Sequence, residues 1–245
     1  MGRLEAIALE GIPEIGPGDD LAAALEAAGG PFAPEEVLVV AHKVISKAEG
    51  AVVELETVEP GARALELAAD QGRDPRHVQV ILDQSAEIVR AEREVLVCRT
   101  PHGFVCANAG VDASNAGAEG VVICLPQDPD ASARRIRSSL LGNPAVVITD
   151  SFGRAWRLGQ ADVAIGVAGL APLEDWRGRR DADGRPLAAT WIALADEVAG
   201  AADLARRKDA RQPAVVVRGL GDFVTEGDGP GAAALLRAAE EDLFP

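Results

Sequence analysis

Residues 108–115 read NAGVDASN, and residues 146–166 read VVITDSFGRAWRLGQADVAIG. In each stretch an apolar run ends on an aspartate, Asp112 or Asp150, with a small amide or hydroxyl residue just beyond, Asn115 or Ser151. Carboxylate, amide and hydroxyl oxygens suit a hard divalent cation. The same residue types also cap loops by bonding to nearby backbone, and spacing alone leaves both readings open.

The 24 basic residues comprise 21 arginines and only three lysines, Lys43, Lys47 and Lys208. Such a ratio reflects compositional bias, yet a lysine retained against it marks a place that needs a compact point charge, as phosphate sites often do. Two of the three fall within HKVISK, beginning at His42. The arginines of SARRIR and GRAWR either neutralise an anionic substrate or are solvated, and the pattern does not choose. Cys98, His102 and Cys106 form CxxxHxxxC. A closed zinc site needs a fourth ligand and usually tighter cysteine pairing, so these read as buried thiols beside a turn histidine.

Neither GxxxxGK[ST] nor GxGxxG occurs, so a nucleotide would be held by neither standard cradle. Oxygen ligands, compact cations and an anionic ligand are the requirements of phosphoryl transfer, in which catalysis is mostly positioning and charge neutralisation.

These residues need elements to position them. VLVVA at 37–41 reads as a buried strand delivering His42 and Lys43 at its end. Before it, LAAALEAAG reads as a helix capped by Asp19 or Asp20 and stopped at Gly29. Strands are expected at 52–56, 95–100, 103–112 and 121–126, with Asp112 at a strand end. AVVITD is a strand ending at Asp150, followed by strands at 162–169 and 214–219. Helices are expected at 62–72, 128–142, about 190–208 and 231–243, while 75–90 is ambiguous. Without regular βαβ alternation, the class is α+β: mixed, largely antiparallel sheets with flanking helices in one interwoven domain over 1–245, not a P-loop or Rossmann fold.

At 245 residues the chain can bury a core without staples. Three cysteines in apolar runs suggest reduced thiols and a cytoplasmic setting. No apolar run approaches membrane-spanning length. A net charge of −15 disfavours nucleic-acid and anionic-membrane partners.

GIPEIGPGDDL, HKVISKAEG, HGFVCANAGVDASN, LPQDPDASARRIR, ITDSFGRAWRLGQADVAIGVAG and DGRPLAATW, in that order, resemble the coenzyme F-420-0:L-glutamate ligase family over about residues 10–220. The resemblance implies a GTP-dependent amide ligase that adds L-glutamate to the deazaflavin coenzyme F-420-0, then a γ-linked glutamate, through an acyl phosphate. It implies two divalent cations, magnesium or manganese, a helping potassium ion, and a homodimer. Some relatives carry a further nitroreductase-like domain, which is not expected here.

By motif, Asp112 and Asp150 resemble ligands of one divalent metal and Ser151 a ligand of the second. Ile12, Pro13, Glu14, Ile15, His42, Lys43, Lys47 and Asn115 resemble the GTP contacts, with Lys208 in a late nucleotide segment near 206–213. Asp112, Asp150, Lys43 and Lys47 are the expected catalytic set. Arg207 stands where relatives commonly have glycine, and Ala155 where some have proline. A metal-dependent phosphohydrolase and a non-catalytic deazaflavin-binding protein are the alternatives.

Overall fold

The computed structural model describes residues 2–92 and 94–242. Its strands are β1 (Glu5–Ala8), β2 (Val37–Ala41), β3 (Val52–Glu54), β4 (Glu87–Glu92), β5 (Val95–Arg99), β6 (Val105–Ala107), β7 (Val121–Ile123), β8 (Ala145–Arg154), β9 (Arg157–Ala168), β10 (Glu174–Asp175), β11 (Trp191–Ile192) and β12 (Ala214–Arg218). The helices are α1 (Leu21–Gly29), α2 (His42–Ala48), α3 (Ala62–Gln71), α4 (Pro75–Asp83), α5 (Pro129–Ser139) and α6 (Leu194–Ala205).

Five strands form the central sheet in the order β1-β12-β2-β8-β9. Only β2 and β8 run parallel, with Val37 opposite Ala145 and Ala41 opposite Thr149; the other pairings are antiparallel, as the α+β reading requires. The apolar runs are nearly continuous because both faces are covered. Leu38, Val40, Val146, Ile148 and Val216 pack beneath α1 and α5 with Leu25, Ala133 and Ile136. Their alternating neighbours Val37, Val39, Val147, Val215 and Val217 pack against Leu194, Val198 and Ala202 of α6. A further core gathers α3, α4, β5 and β7 around Leu67, Ile81, Leu96 and Val122.

Local chemistry accounts for the helix ends. Asp20 accepts from the Ala23 amide at 3.0 Å and Asp128 from the Ala131 amide at 2.8 Å, satisfying donors that a first turn leaves open. The ambiguous 75–90 stretch divides into α4, opened by Asp74 and Pro75, and β4.

Several expected boundaries move. The strand expected at 52–56 stops at Glu54 and tightens into a 3-10 turn over Leu55–Thr57. The strand expected at 103–112 is only Val105–Ala107, because Asn108, Ala109 and Gly110 take left-handed φ values of 53°, 53° and 74° that break the ladder. Asp112 follows that turn, bridged to Ile123, rather than ending a strand. Asp150 is interior to β8, whose pairing with β9 continues past Ser151↔Asp162 to Arg154↔Arg157.

The helix expected at 190–208 begins only at Leu194, since Trp191–Ile192 pairs with Glu174–Asp175. The expected final helix at 231–243 is replaced by short 3-10 turns at Ala232–Leu235 and Ala239–Glu241, with residue 243 outside the described range. Leading into the first of these turns, Gly231 adopts φ 80° and ψ −179°, far from helical values. β1, which the sequence pattern does not announce, pairs with β12 at the sheet edge.

Candidate active site

β2 passes without a loop into α2, so the first helical turn stands at the C-terminal end of a buried strand. That junction sets His42 beside Asp150 of β8 and Lys43 against Asp112 and Ser114. Buried His42 has its Nδ1 3.2 Å from Ser46 Oγ, and its Nε2 lies 3.3 Å from Asp150 Oδ1 without hydrogen-bond alignment.

Lys43 Nζ donates to Asp112 Oδ2 at 2.6 Å, to Ser114 Oγ at 2.6 Å and to the Ser114 carbonyl at 3.2 Å. The Ser114 amide donates to Asp112 Oδ1 at 2.7 Å and its hydroxyl to Oδ2 at 2.7 Å. Burial pushes the Asp112 carboxyl up, but Lys43 and Ser114 outweigh it and hold the pKa below the usual range. Asp150 behaves alike: burial raises it, and His42, the Ser151 amide and Lys43 together lower it further. Lys43 therefore bonds Asp112 directly and acts on Asp150 through its charge.

Ser151 continues the cluster. Its hydroxyl donates to Asp162 Oδ1 at 2.6 Å and accepts from Lys208 Nζ at 2.8 Å, which brings the late segment to the β8–β9 hairpin. The left-handed residue of that segment is Arg211, at φ 52°, so arginine at position 207 requires no unusual backbone.

Other expected contacts divide. Lys47 is buried and ion-paired with Glu14. Ile12 and Ile15 point into the main core, so only Pro13, Glu14 and the main chain of that segment face outward. Asn115 is exposed in a left-handed conformation, φ 57°, next to Ser114.

The arginines of SARRIR and GRAWR are partly committed within the protein. Arg135 pairs with Glu49, buried Arg137 with Asp228, and Arg154 donates to the Leu158 carbonyl.

Cys98 and Cys106 face each other across β5 and β6, and burial, then Asp150, pushes the Cys106 thiol up to about 12. His102 Nε2 lies 3.0 Å from the carbonyls of both Pro126 and Gln127. The thiols are buried and the imidazole of the turn histidine engages main-chain carbonyls.

Among the described residues no three His, Cys, Asp or Glu side chains converge as a cage. Magnesium-type sites commonly use one or two carboxylates completed by phosphate oxygens and water. The oxygen-only set of Asp112, Asp150 and Ser151 fits that chemistry. Ser114, bonded to Asp112, and Asp162 and Arg206, linked to Ser151, were not singled out by residue spacing. The Asp-x-Ser turn could have drawn attention to Ser114, whereas Asp162 becomes visible only once the hairpin register sets it opposite Ser151.

Residues 11–219 match the family described as F420-0:Gamma-glutamyl ligase. The chain belongs to that family. It is 43% identical over 250 residues to the coenzyme F420:L-glutamate ligase of Methanothermobacter thermautotrophicus, covering 98% of each chain. The protein of that name from Methanopyrus kandleri is 44% identical, covering 100% of each chain. The one from Methanocaldococcus jannaschii is 40% identical, covering 99% of this chain and 97% of its own length. As a member of the F420-0:gamma-glutamyl ligase family, the chain has its cluster of Lys43, Asp112, Asp150 and Ser151 wholly inside the matched region.

Proposed function

We propose that this protein is a ligase that adds L-glutamate to coenzyme F420-0, then a second through a γ-linkage, with GTP driving the reaction through an acyl phosphate. The observation that carries the reading is Lys43 bonded to Asp112 while acting on Asp150, with Ser151 and Lys208 alongside. Family membership supplies the acceptor and the amino acid.

In this reading a carboxylate oxygen of the deazaflavin precursor attacks the γ-phosphorus of GTP. The bond from that phosphorus to the bridging oxygen breaks, and GDP leaves. The glutamate amine then attacks the acyl carbon, its acyl-oxygen bond breaks, phosphate departs and the amine proton passes to solvent.

Lys43 and Lys47 stabilise the developing phosphoryl charge, His42 and Lys208 bound the phosphate region, and Asn115 and the 12–15 segment border the nucleotide. Divalent cations, magnesium or manganese, would be held by Asp112 and Asp150 and by Ser151, and when bound would neutralise phosphate oxygens. Potassium as helper and a homodimeric assembly belong to the same proposal.

The test is one incubation of the protein with the deazaflavin precursor, glutamate, GTP and manganese, followed by mass spectrometry. The expected result is mass gain in glutamate-residue units, with sustained GDP release over many turnovers only when both acceptor and glutamate are present. GDP release in their absence, without product, makes the protein a phosphohydrolase instead.

A further inference from the structure

Asp162 is buried to 3% exposure midway along the β8–β9 ladder, and its two oxygens are used differently. Oδ1 accepts the Ser151 hydroxyl at 2.6 Å. Oδ2 accepts from Thr149 Oγ1 at 3.0 Å and is ion-paired with Arg206. Arg206 also donates to Thr149 Oγ1 at 2.7 Å and to the Pro213 carbonyl at 3.1 Å, spanning both ends of the segment that carries Lys208.

A serine hydroxyl has one proton to donate and two lone pairs to offer. An ion-paired carboxylate only accepts, so the Ser151 proton is fixed toward Asp162 and both lone pairs are turned away from it. One of them takes the Lys208 ammonium. Ser151 is thereby set as an acceptor, the form in which a hydroxyl oxygen meets a cation.

We propose that Asp162 is a positioning residue: it holds Ser151 as a cation acceptor and, through Arg206, ties that state to docking of the 206–213 segment. The inference rests on the divalent-cation reading above. Asp162 acts through Ser151 and touches no reacting atom.

The test measures manganese affinity directly, from the spin-resonance signal of free ion, with the metal alone and no turnover. Asp162→Asn supplies an amide that can donate to Ser151 Oγ and turn its proton outward. The expected weakening is about 10- to 100-fold, the usual effect of losing a residue that orients a ligand. Adding Ser151→Ala to Asp162→Asn should weaken binding no further than the worse single variant.

Because Asp162→Asn leaves Arg206 without its buried partner, the charge-balanced pair Asp162→Asn with Arg206→Gln provides a second form, expected to show the same weakening. Wild-type affinity in a folded variant of either form overturns the proposal, and so do multiplicative effects with Ser151→Ala. Asp150→Asn separates the levels. If it weakens binding and Asp162→Asn does not, only the positioning role fails; if Asp150→Asn also has no effect, the cation reading fails with it.

Discussion

At the scale of single residues, burial and charge decide which groups are reactive and which are inert. Asp112 and Asp150 are both pushed up by burial, yet cations and amide donors reverse that push. Cys106 lies in the same neighbourhood with the opposite outcome: burial, with Asp150 and Cys98 adding to it, outweighs the Gly110 amide and pushes its thiol to about 12. The raised value favours the folded state below the ordinary thiol pKa of 9.0 and loses that stability as pH climbs toward 12, because only the unfolded thiol ionises in that window. At pH 10 the differential loss is about 1.4 kcal/mol. Urea denaturation at pH 8 and pH 10 should therefore show a drop in stability larger in the wild type than in Cys106→Ala by about that amount. Equal drops in both proteins would mean that the thiol ionises as freely folded as unfolded.

At the scale of elements, the central sheet takes α5 in close backbone contact. Gly166 in β9 faces the start of that helix, and a Cβ there would stand 2.4 Å from the Pro129 carbonyl oxygen. Backbone cannot swing aside as a side-chain tip can, so Gly166→Ala should cost about 1–3 kcal/mol by displacing α5, read as a lower urea midpoint at unchanged m-value. Wild-type stability would show that the helix shifts without cost. The buried strands and the capped helices were legible from apolar runs and from Asp20 and Asp128, since burial and capping are local in sequence. The β8–β9 hairpin was not, because FGRAWRLGQ shows no apolar alternation; its pairing is carried by backbone partners, and all of its outer residues but Phe152 are exposed. For that reason Asp150 and Ser151 were visible as candidates while Asp162, which meets Ser151 only across the hairpin, was not. Lys43 and Asp112 were each legible, but their 2.6 Å contact joins residues far apart in the chain and had to come from the fold.

At the scale of the whole molecule, the candidate site joins two cores. Lys43, Asp150 and Ser151 hang from the central sheet, while Asp112 follows Ala109 and Val111, which are packed in the core with α3 and α4. In that turn Asn108 accepts from Arg73 at 3.0 Å, and Gly110 approaches Leu125 too closely for any side chain. A ligand engaging both Asp112 and Asp150 would stabilise the docking of one core on the other, since anything that binds only the assembled form shifts the opening equilibrium toward it. At a hundredfold excess over its dissociation constant the shift is about 2.7 kcal/mol. Adding GTP with manganese should then slow amide exchange in 62–83 and 95–111, where no ligand contact is expected, as well as at the ends of β2 and β8. Hydrogen-exchange mass spectrometry on the full chain reads this directly. Protection confined to the central sheet would mean that the ligand bypasses Asp112 and that the two cores open independently of what is bound.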